Sequence, residues 1–132
     1  MGHPVQVHTP STAIVDFSAA TGVVLTYDAP LAGKLLVNQC FGIAEEAIGD
    51  ATTQGVMIIQ VNDVTVGTYT TLGTEAIGDR LLFTPDGTVA TTTNPVAYFT
   101  AGQKIDVELS VQASGGTTTG TARVYLAMEL AN

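Results

Sequence analysis

The side chains that could carry out covalent or acid–base chemistry are few, and their spacing does not assemble a catalytic site. Nucleophilic catalysis needs a nucleophile, a base and an orienting group that converge in space. Both histidines, His3 and His8, lie near the N-terminus, where we predict no scaffold that would fix their geometry. The sequence also has no Gly-x-Ser-x-Gly motif. We therefore predict that the protein is not an enzyme.

Thiol and metal chemistry are equally weakly indicated. Cys40 is the only cysteine, so it has no intrachain disulfide partner, and its apolar neighbours favour a buried structural thiol over a nucleophile. Residues 45–50 and 75–79 offer two or three carboxylates each, without the alternating Asp/Asn pattern of a calcium loop. We favour solvated loops there over weak cation sites. The prediction is that the protein has no metal and no cofactor.

Three carboxylates near the C-terminus, Asp106, Glu108 and Glu129, could in principle supply the acid pair of a glycoside hydrolase. Their neighbours Lys104 and Arg123 make cross-strand ion pairs the more economical interpretation. Sugar-binding surfaces usually present aromatic platforms, and this chain has no Trp and 4 Tyr. The carboxylates are therefore predicted to be structural.

Charge and composition limit the class of partner. Charged residues make up only 12% of the chain, and the formal net charge is −8. The four cations, Lys34, Arg80, Lys104 and Arg123, are too few to neutralise a nucleic acid backbone or to attract an anionic membrane. No apolar run reaches the length of a membrane span, and the N-terminus lacks the pattern of a signal peptide. We predict a soluble protein, made in a cytoplasm, that binds neither nucleic acid nor membrane.

The apolar pattern indicates an all-β protein. Thr, Val and Ile are abundant, and residues 105–111 and 123–130 alternate apolar and polar side chains with a period of two. We predict an extended N-terminal arm over residues 1–12 and one antiparallel β-sandwich of jelly-roll type, with about eight strands, over residues 13–132. The predicted strand runs are 23–27, 34–43, 56–61, 64–69, 81–83, 96–99, 105–111 and 123–130.

Connections between the strands also follow from the sequence. Asn62 and Asp63 predict a tight hairpin, since both residue types tolerate a positive φ. Residues 43–48 are the best candidate for a short helix, and the Gly- and Thr-rich residues 114–120 are predicted to be mobile. If the last two strands pair, we predict the register that sets Lys104 against Glu129, because the alternative sets Asp106 against Glu129.

Two strand runs, residues 35–37 and 56–59, are apolar on both faces. A sandwich strand normally wets its outer face, so a second burial surface is predicted, and we favour a neighbouring subunit over a loop of the same chain as its cover. A second pattern is an internal echo, in which the five residues from Glu46 to Asp50 recur from Glu75 to Asp79. The echo is interpreted either as a duplicated structural unit or as coincidence.

Residues 99–107 and 120–126 resemble the end of small jelly-roll domains found in bacteriophage capsid decoration (cement) and head-fibre proteins, and the hairpin at residues 61–68 is of the same style. The resemblance covers about the last two thirds of the chain and is one of pattern, without a diagnostic motif. It implies a homotrimer on the surface of an icosahedral shell, where it clamps neighbouring major capsid subunits. It carries over no functional residue.

These observations lead to one functional hypothesis and one alternative. The hypothesis is a virion structural protein that decorates and stabilises a phage capsid as an oligomer, made in the host cytoplasm. The alternative is a receptor- or carbohydrate-binding β-sandwich module of a phage fibre. The predicted contacts with a partner lie in the arm, at His3, Pro4, Val5, Val7, His8 and Pro10.

Overall fold

The computed structural model describes residues 5–8 and 13–131 and shows an all-β protein with antiparallel sheets. The β-branched and apolar runs form its strands, as the sequence predicts. In chain order the strands are β1 (Val5–His8), β2 (Ala13–Asp16), β3 (Gly22–Asp28), β4 (Gly33–Leu36), β5 (Phe41–Ala44), β6 (Ala51–Thr53), β7 (Val56–Val61), β8 (Val64–Thr70), β9 (Arg80–Leu82), β10 (Thr84–Pro85), β11 (Val96–Phe99), β12 (Lys104–Val111), β13 (Ser114–Gly116), β14 (Thr121–Tyr125) and β15 (Ala127–Leu130).

One layer of the sandwich consists of two four-stranded sheets that share interrupted strands. Their orders are β1-β15-β4-β11 and β2-β14-β5-β9. A short 3-10 helix, Val37–Gln39, separates β4 from β5, and Leu126 alone separates β14 from β15. Residues 33–44 and residues 121–130 therefore each contribute one strand to either sheet, with a short break between their two strands.

The other layer is a five-stranded sheet with the order β10-β8-β7-β12-β3. Between the layers lies one apolar core, because the strands of both layers turn alternate side chains inward. Ile105, Val107 and Leu109 of β12 face it, as do Ala122 and Val124 of β14. The period-two pattern is therefore confirmed in these stretches, whereas Val111, beyond a register shift, is exposed.

The tight hairpin is also confirmed. Strand β7 pairs with β8 through Val61 and Val64, and the two residues between them, Asn62 and Asp63, have φ values of 50° and 65°. Two consecutive residues in the left-handed region define a turn whose twist matches that of the flanking strands. Asn and Asp adopt this conformation more readily than other non-glycine residues do.

One sequence expectation is wrong: residues 43–48 form no helix, because Ile43 and Ala44 belong to β5 and the chain then bends. Residues 114–116, within the segment predicted to be mobile, form β13, which pairs with β6. The last two long strands do not pair with each other, since β12 lies in the five-stranded sheet whereas β14 and β15 lie in the opposite layer. The register predicted in case they paired therefore does not arise.

The strand runs that are apolar on both faces are covered by the chain itself. Leu35, Leu36 and Val37 are buried, and so are Ile58 and its neighbours in β7. The neighbouring subunit favoured by the sequence is thus not needed to bury them. Among the apolar side chains that are exposed, Ile14 and Leu82 lie on the outer face of β2-β14-β5-β9.

Candidate functional site

The predicted arm contacts fall in two groups. Val5, Val7 and His8 belong to β1, which pairs antiparallel with β15 of the same chain. His3, Pro4 and Pro10 lie outside the described residues. Contact of this segment with a partner stays a prediction.

The three C-terminal carboxylates do not come together. Asp106 and Glu108 lie on the outer face of β12, in the five-stranded sheet, and Glu129 lies on β15 in the opposite layer. Their predicted partners are wrong as well. The Glu129 carboxylate contacts Lys34 Nζ at 3.3 Å instead of Lys104. Arg123 Nε donates to Glu45 Oε2 at 2.8 Å.

Cys40 is fully buried, as the sequence predicts for a structural thiol. Burial raises the pKa of its thiol from 9.0 to about 12, although a hydrogen bond from the Ala127 backbone opposes that shift. The Ala127 N–H donates to Sγ at 3.3 Å. A thiol with this pKa is protonated at neutral pH, so it is a poor nucleophile.

Glu75 is the most extensively hydrogen-bonded carboxylate among the described residues. It accepts the Tyr69 hydroxyl at 2.5 Å and the backbone N–H groups of Leu72, Gly73 and Thr74 at 2.7 to 3.1 Å. Burial acts to raise the pKa of Glu75, but the hydrogen bonds from Tyr69 and from the backbone outweigh it, so the pKa is lowered. Its oxygens are thereby committed to organising their own loop. Within residues 5–8 and 13–131, no group of three or more His, Cys, Asp and Glu side chains could hold a metal ion.

The surface with the clearest binding character is the outer face of β2-β14-β5-β9. Strand registers place most of its outward side chains in two rows, and the polar pair Asp16 and Thr121 lies beyond the first row. One row crosses all four strands and the other crosses three. We call this surface the arginine–aromatic face, and its members are Ile14, Arg123, Ile43 and Arg80 in the first row, and Tyr125, Phe41 and Leu82 in the second.

The aromatic side chains of this face are held in a fixed arrangement. Phe41 and Tyr125 stack with ring centroids 5.2 Å apart and an interplanar angle of 25°. The Arg80 guanidinium lies over the Phe41 ring, with its Cζ 4.2 Å from the ring centroid. Leu82, beside Phe41, is 54% exposed. A flat, ordered cluster of aromatic, aliphatic and arginine side chains has the composition of the energetically dominant centre of protein interfaces.

Sequence reasoning missed this face. Phe41 and Ile43 fall inside a predicted strand, but their neighbours Gly42 and Ala44 are small and give no sign that they face the core. The inward positions of β5 hold small residues because core side chains approach the strand closely. A Cβ on Gly42 would lie 3.2 Å from the Met57 side chain. The one usable signal in the sequence was the alternation of the large residues Phe41 and Ile43 with the small residues Gly42 and Ala44.

A second, smaller feature lies on the outer side of the sheet β1-β15-β4-β11. A groove of about 300 Å³ is lined by Gly33, Lys34, Tyr98, Phe99 and Glu129, together with two alanines. Tyr98 is 71% exposed at its rim, and the Lys34–Glu129 ion pair lies beside it. The groove therefore combines an exposed ring with a paired donor and acceptor.

Comparison with known proteins adds no name to these surfaces. No family model matches the chain, and no curated protein or solved structure does either. Of the helices among residues 5–8 and 13–131, none has the length and apolar character needed to cross a bilayer.

Proposed function

We propose that the protein is a virion structural protein, which decorates and stabilises a phage capsid by binding major capsid subunits as a homo-oligomer, a homotrimer in our hypothesis. The observation that carries the proposal is the arginine–aromatic face. Exposed Leu82, stacked Phe41 and Tyr125, and Arg80 form a surface suited to another protein chain.

The order of the strands supports a sandwich of jelly-roll type. The last long strands, β12 and β14/β15, lie in opposite layers, which is the arrangement that distinguishes a viral jelly roll from a simple C-terminal hairpin. Each layer also joins strands that are distant in the chain, as Greek-key connections do. Such a rigid body can bridge capsid subunits without a chemical step.

Avidity is the mechanism by which such a protein would stabilise a shell. Each copy of the oligomer would contribute one weak contact with the shell. Once the first copy has bound, the contacts of the other copies form within the same complex, which raises the overall affinity. The N-terminal segment, with Val5, Val7 and His8 on the edge strand β1, is our candidate for the contact with capsid subunits. An edge strand has unpaired backbone groups that a partner chain can bind.

Co-sedimentation with a shell tests this function. Empty shells assembled from the major capsid protein of the virus that encodes this chain are mixed with the purified protein and pelleted. We expect saturable binding and shells that dissociate at a higher temperature. Absence of the protein from the pellet, at concentrations where it is oligomeric, would contradict the proposal.

The groove beside Tyr98 favours one alternative, a carbohydrate-binding module of a phage fibre. An exposed tyrosine ring can stack on the apolar face of a sugar, while Lys34 and Glu129 offer a donor and an acceptor to its hydroxyls. A glycan array separates the two functions. Binding that is lost in Tyr98→Ala, and retained in the control Leu72→Ala at an exposed position outside the groove, would favour the alternative.

A further inference from the structure

We propose that the arginine–aromatic face is the surface through which one copy of this chain binds, head to tail, an acidic surface of a second copy. This inference deepens the proposed function, on which it rests, by naming the interface of the oligomer. Its core is Phe41 with Tyr125 and Leu82, and its charges are Arg80 and Arg123.

The first step of the argument concerns exposed apolar area. In a sandwich that is a monomer, the outer side of a sheet carries polar side chains at its solvent-accessible positions, as β12 does with Glu108 and Ser110. The opposite layer breaks this rule at β2-β14-β5-β9, where Ile14 and Leu82 are exposed and Ile43 is half-buried. Contiguous apolar side chains at outward positions indicate that a protein covers them.

The second step concerns charge. Arg80 and Arg123 are two of the four cations of the chain. Arg123 is paired with Glu45, whereas no carboxylate of the described residues lies within salt-bridge distance of Arg80. Apart from these three residues, the chain has eleven acidic residues against two lysines. Another copy of the same chain is therefore an acidic partner, complementary in sign to Arg80.

The third step concerns symmetry. A two-fold contact would place the same face of both copies together, where the Glu45 carboxylate is already paired with Arg123 and the Asp16 carboxylate accepts hydrogen bonds from Ser18, so Arg80 would gain little there. A head-to-tail contact instead pairs the face with a different, acidic surface. Contacts of this heterologous type close into rings when the rotation between copies permits, and a trimer is such a ring.

The native mass in solution tests the inference. Light scattering at several protein and salt concentrations is applied to the wild type, Leu82→Glu, Arg80→Glu and the control Val64→Glu. Val64 is also exposed, but it lies at the β7–β8 hairpin in the other layer. Far-UV circular dichroism and thermal unfolding establish that each variant is folded.

We expect a wild-type oligomer with a mass near three times the 13.6 kDa of one chain. Leu82→Glu should be monomeric at the same concentration, because it places a carboxylate in the apolar centre. Arg80→Glu should raise the dissociation constant about tenfold or more at low salt, with a smaller effect at high salt. Val64→Glu should associate as the wild type does, although it adds the same charge.

The other outcomes separate this inference from the proposed function. A wild type that is monomeric at every concentration overturns both the interface and the oligomer. An oligomer that Leu82→Glu leaves intact overturns the interface alone. If Leu82→Glu stays oligomeric but no longer co-sediments with shells, the face binds a capsid subunit rather than a second copy, which overturns the inference and leaves the function standing.

Discussion

The two copies of the five-residue echo, from Glu46 to Asp50 and from Glu75 to Asp79, have identical sequences and opposite environments. Ile48 is 4% exposed, whereas its counterpart Ile77 is 71% exposed. The exposure of the glutamates is the reverse of that of the isoleucines, because Glu75 is buried and Glu46 is exposed. The same sequence thus buries its isoleucine in one place and its carboxylate in the other.

The two segments also contact each other. The Ile48 N–H donates to the Glu75 carbonyl at 3.0 Å, and Ala44, just before the first segment, exchanges backbone hydrogen bonds with Gly78 and Asp79. Although they are in contact, they bury different residues, so they are not equivalent units. Their likeness in sequence does not amount to a structural repeat.

The glycine at the fourth position of the echo, Gly49 or Gly78, is required for a different reason in each copy. A Cβ on Gly49 would lie 2.6 Å from the Thr117 carbonyl oxygen, so the first copy lacks space for a side chain. Gly78 has open space around it but a φ of 90°, which other residues rarely adopt. Tertiary neighbours, and not the local sequence, therefore determine what each residue of the echo does.

Replacement of the isoleucines should give the largest difference between the two copies. Ile48→Ala removes buried methyl groups from the core and should lower the free energy of unfolding by about 2–4 kcal/mol. Ile77→Ala is the matched control and should change it by less than about 0.5 kcal/mol, because Ile77 is exposed. Urea titration of both variants measures this, and equal losses would show that the two copies are alike in solution.

Much of the fold follows from the sequence because its signals are local. The period of two in β12, and Asn62 and Asp63 at the hairpin, depend only on residues close together in the chain. Which strands become neighbours depends on contacts across the whole chain. The pairing of β14 with β2 and β5 joins residues more than 75 positions apart, and no local pattern specifies it.

The candidate site was less predictable than the fold for the same reason. Phe41, Tyr125 and Leu82 come from three separate strands, and only the sheet order makes them neighbours. Periodicity assigns side chains to alternate faces of a strand, but it does not tell which face is inner when both carry apolar residues. The sequence therefore predicted uncovered apolar surface at residues 35–37 and 56–59, which the chain itself buries, and did not predict the exposed Ile14 and Leu82.

The glutamates should give the second largest difference. Glu75→Gln replaces an acceptor of four hydrogen bonds by an amide whose NH₂ group faces backbone donors, and should cost about 2 kcal/mol at neutral pH. Glu46→Gln is the control, and its exposed carboxylate should contribute little. Chemical denaturation of both variants at several pH values measures the difference.

The pH dependence of that difference follows from the lowered pKa of Glu75. A carboxyl whose pKa is lower in the folded than in the unfolded state stabilises the fold at pH values above the unfolded pKa of about 4.3. This stabilisation is lost as the pH falls through the folded pKa. The difference in free energy of unfolding between wild type and Glu75→Gln should therefore become smaller below about pH 4. A difference that does not change with pH would contradict the role of the ionised carboxylate.

The aspartates should give the smallest difference. Asp79 Oδ2 accepts the Ala76 N–H at 2.8 Å, while the Asp79 N–H donates back to the Ala76 carbonyl at 3.0 Å, and the two bonds close a turn. Asp79→Ala removes the first of them and should cost about 0.5–1 kcal/mol.

Asp50→Ala is the control for this last position. Among the residues that the structure describes, Asp50 Oδ1 accepts only the Gln54 side chain, in an exposed contact, and Gln54 Nε2 keeps a second acceptor in the Ala51 carbonyl at 3.0 Å. The loss should therefore stay within about 0.5 kcal/mol. Asp79→Asn retains an acceptor oxygen and should recover part of the stability lost in Asp79→Ala. If Asp79→Asn recovered nothing, charge rather than the hydrogen bond would distinguish this residue from Asp50.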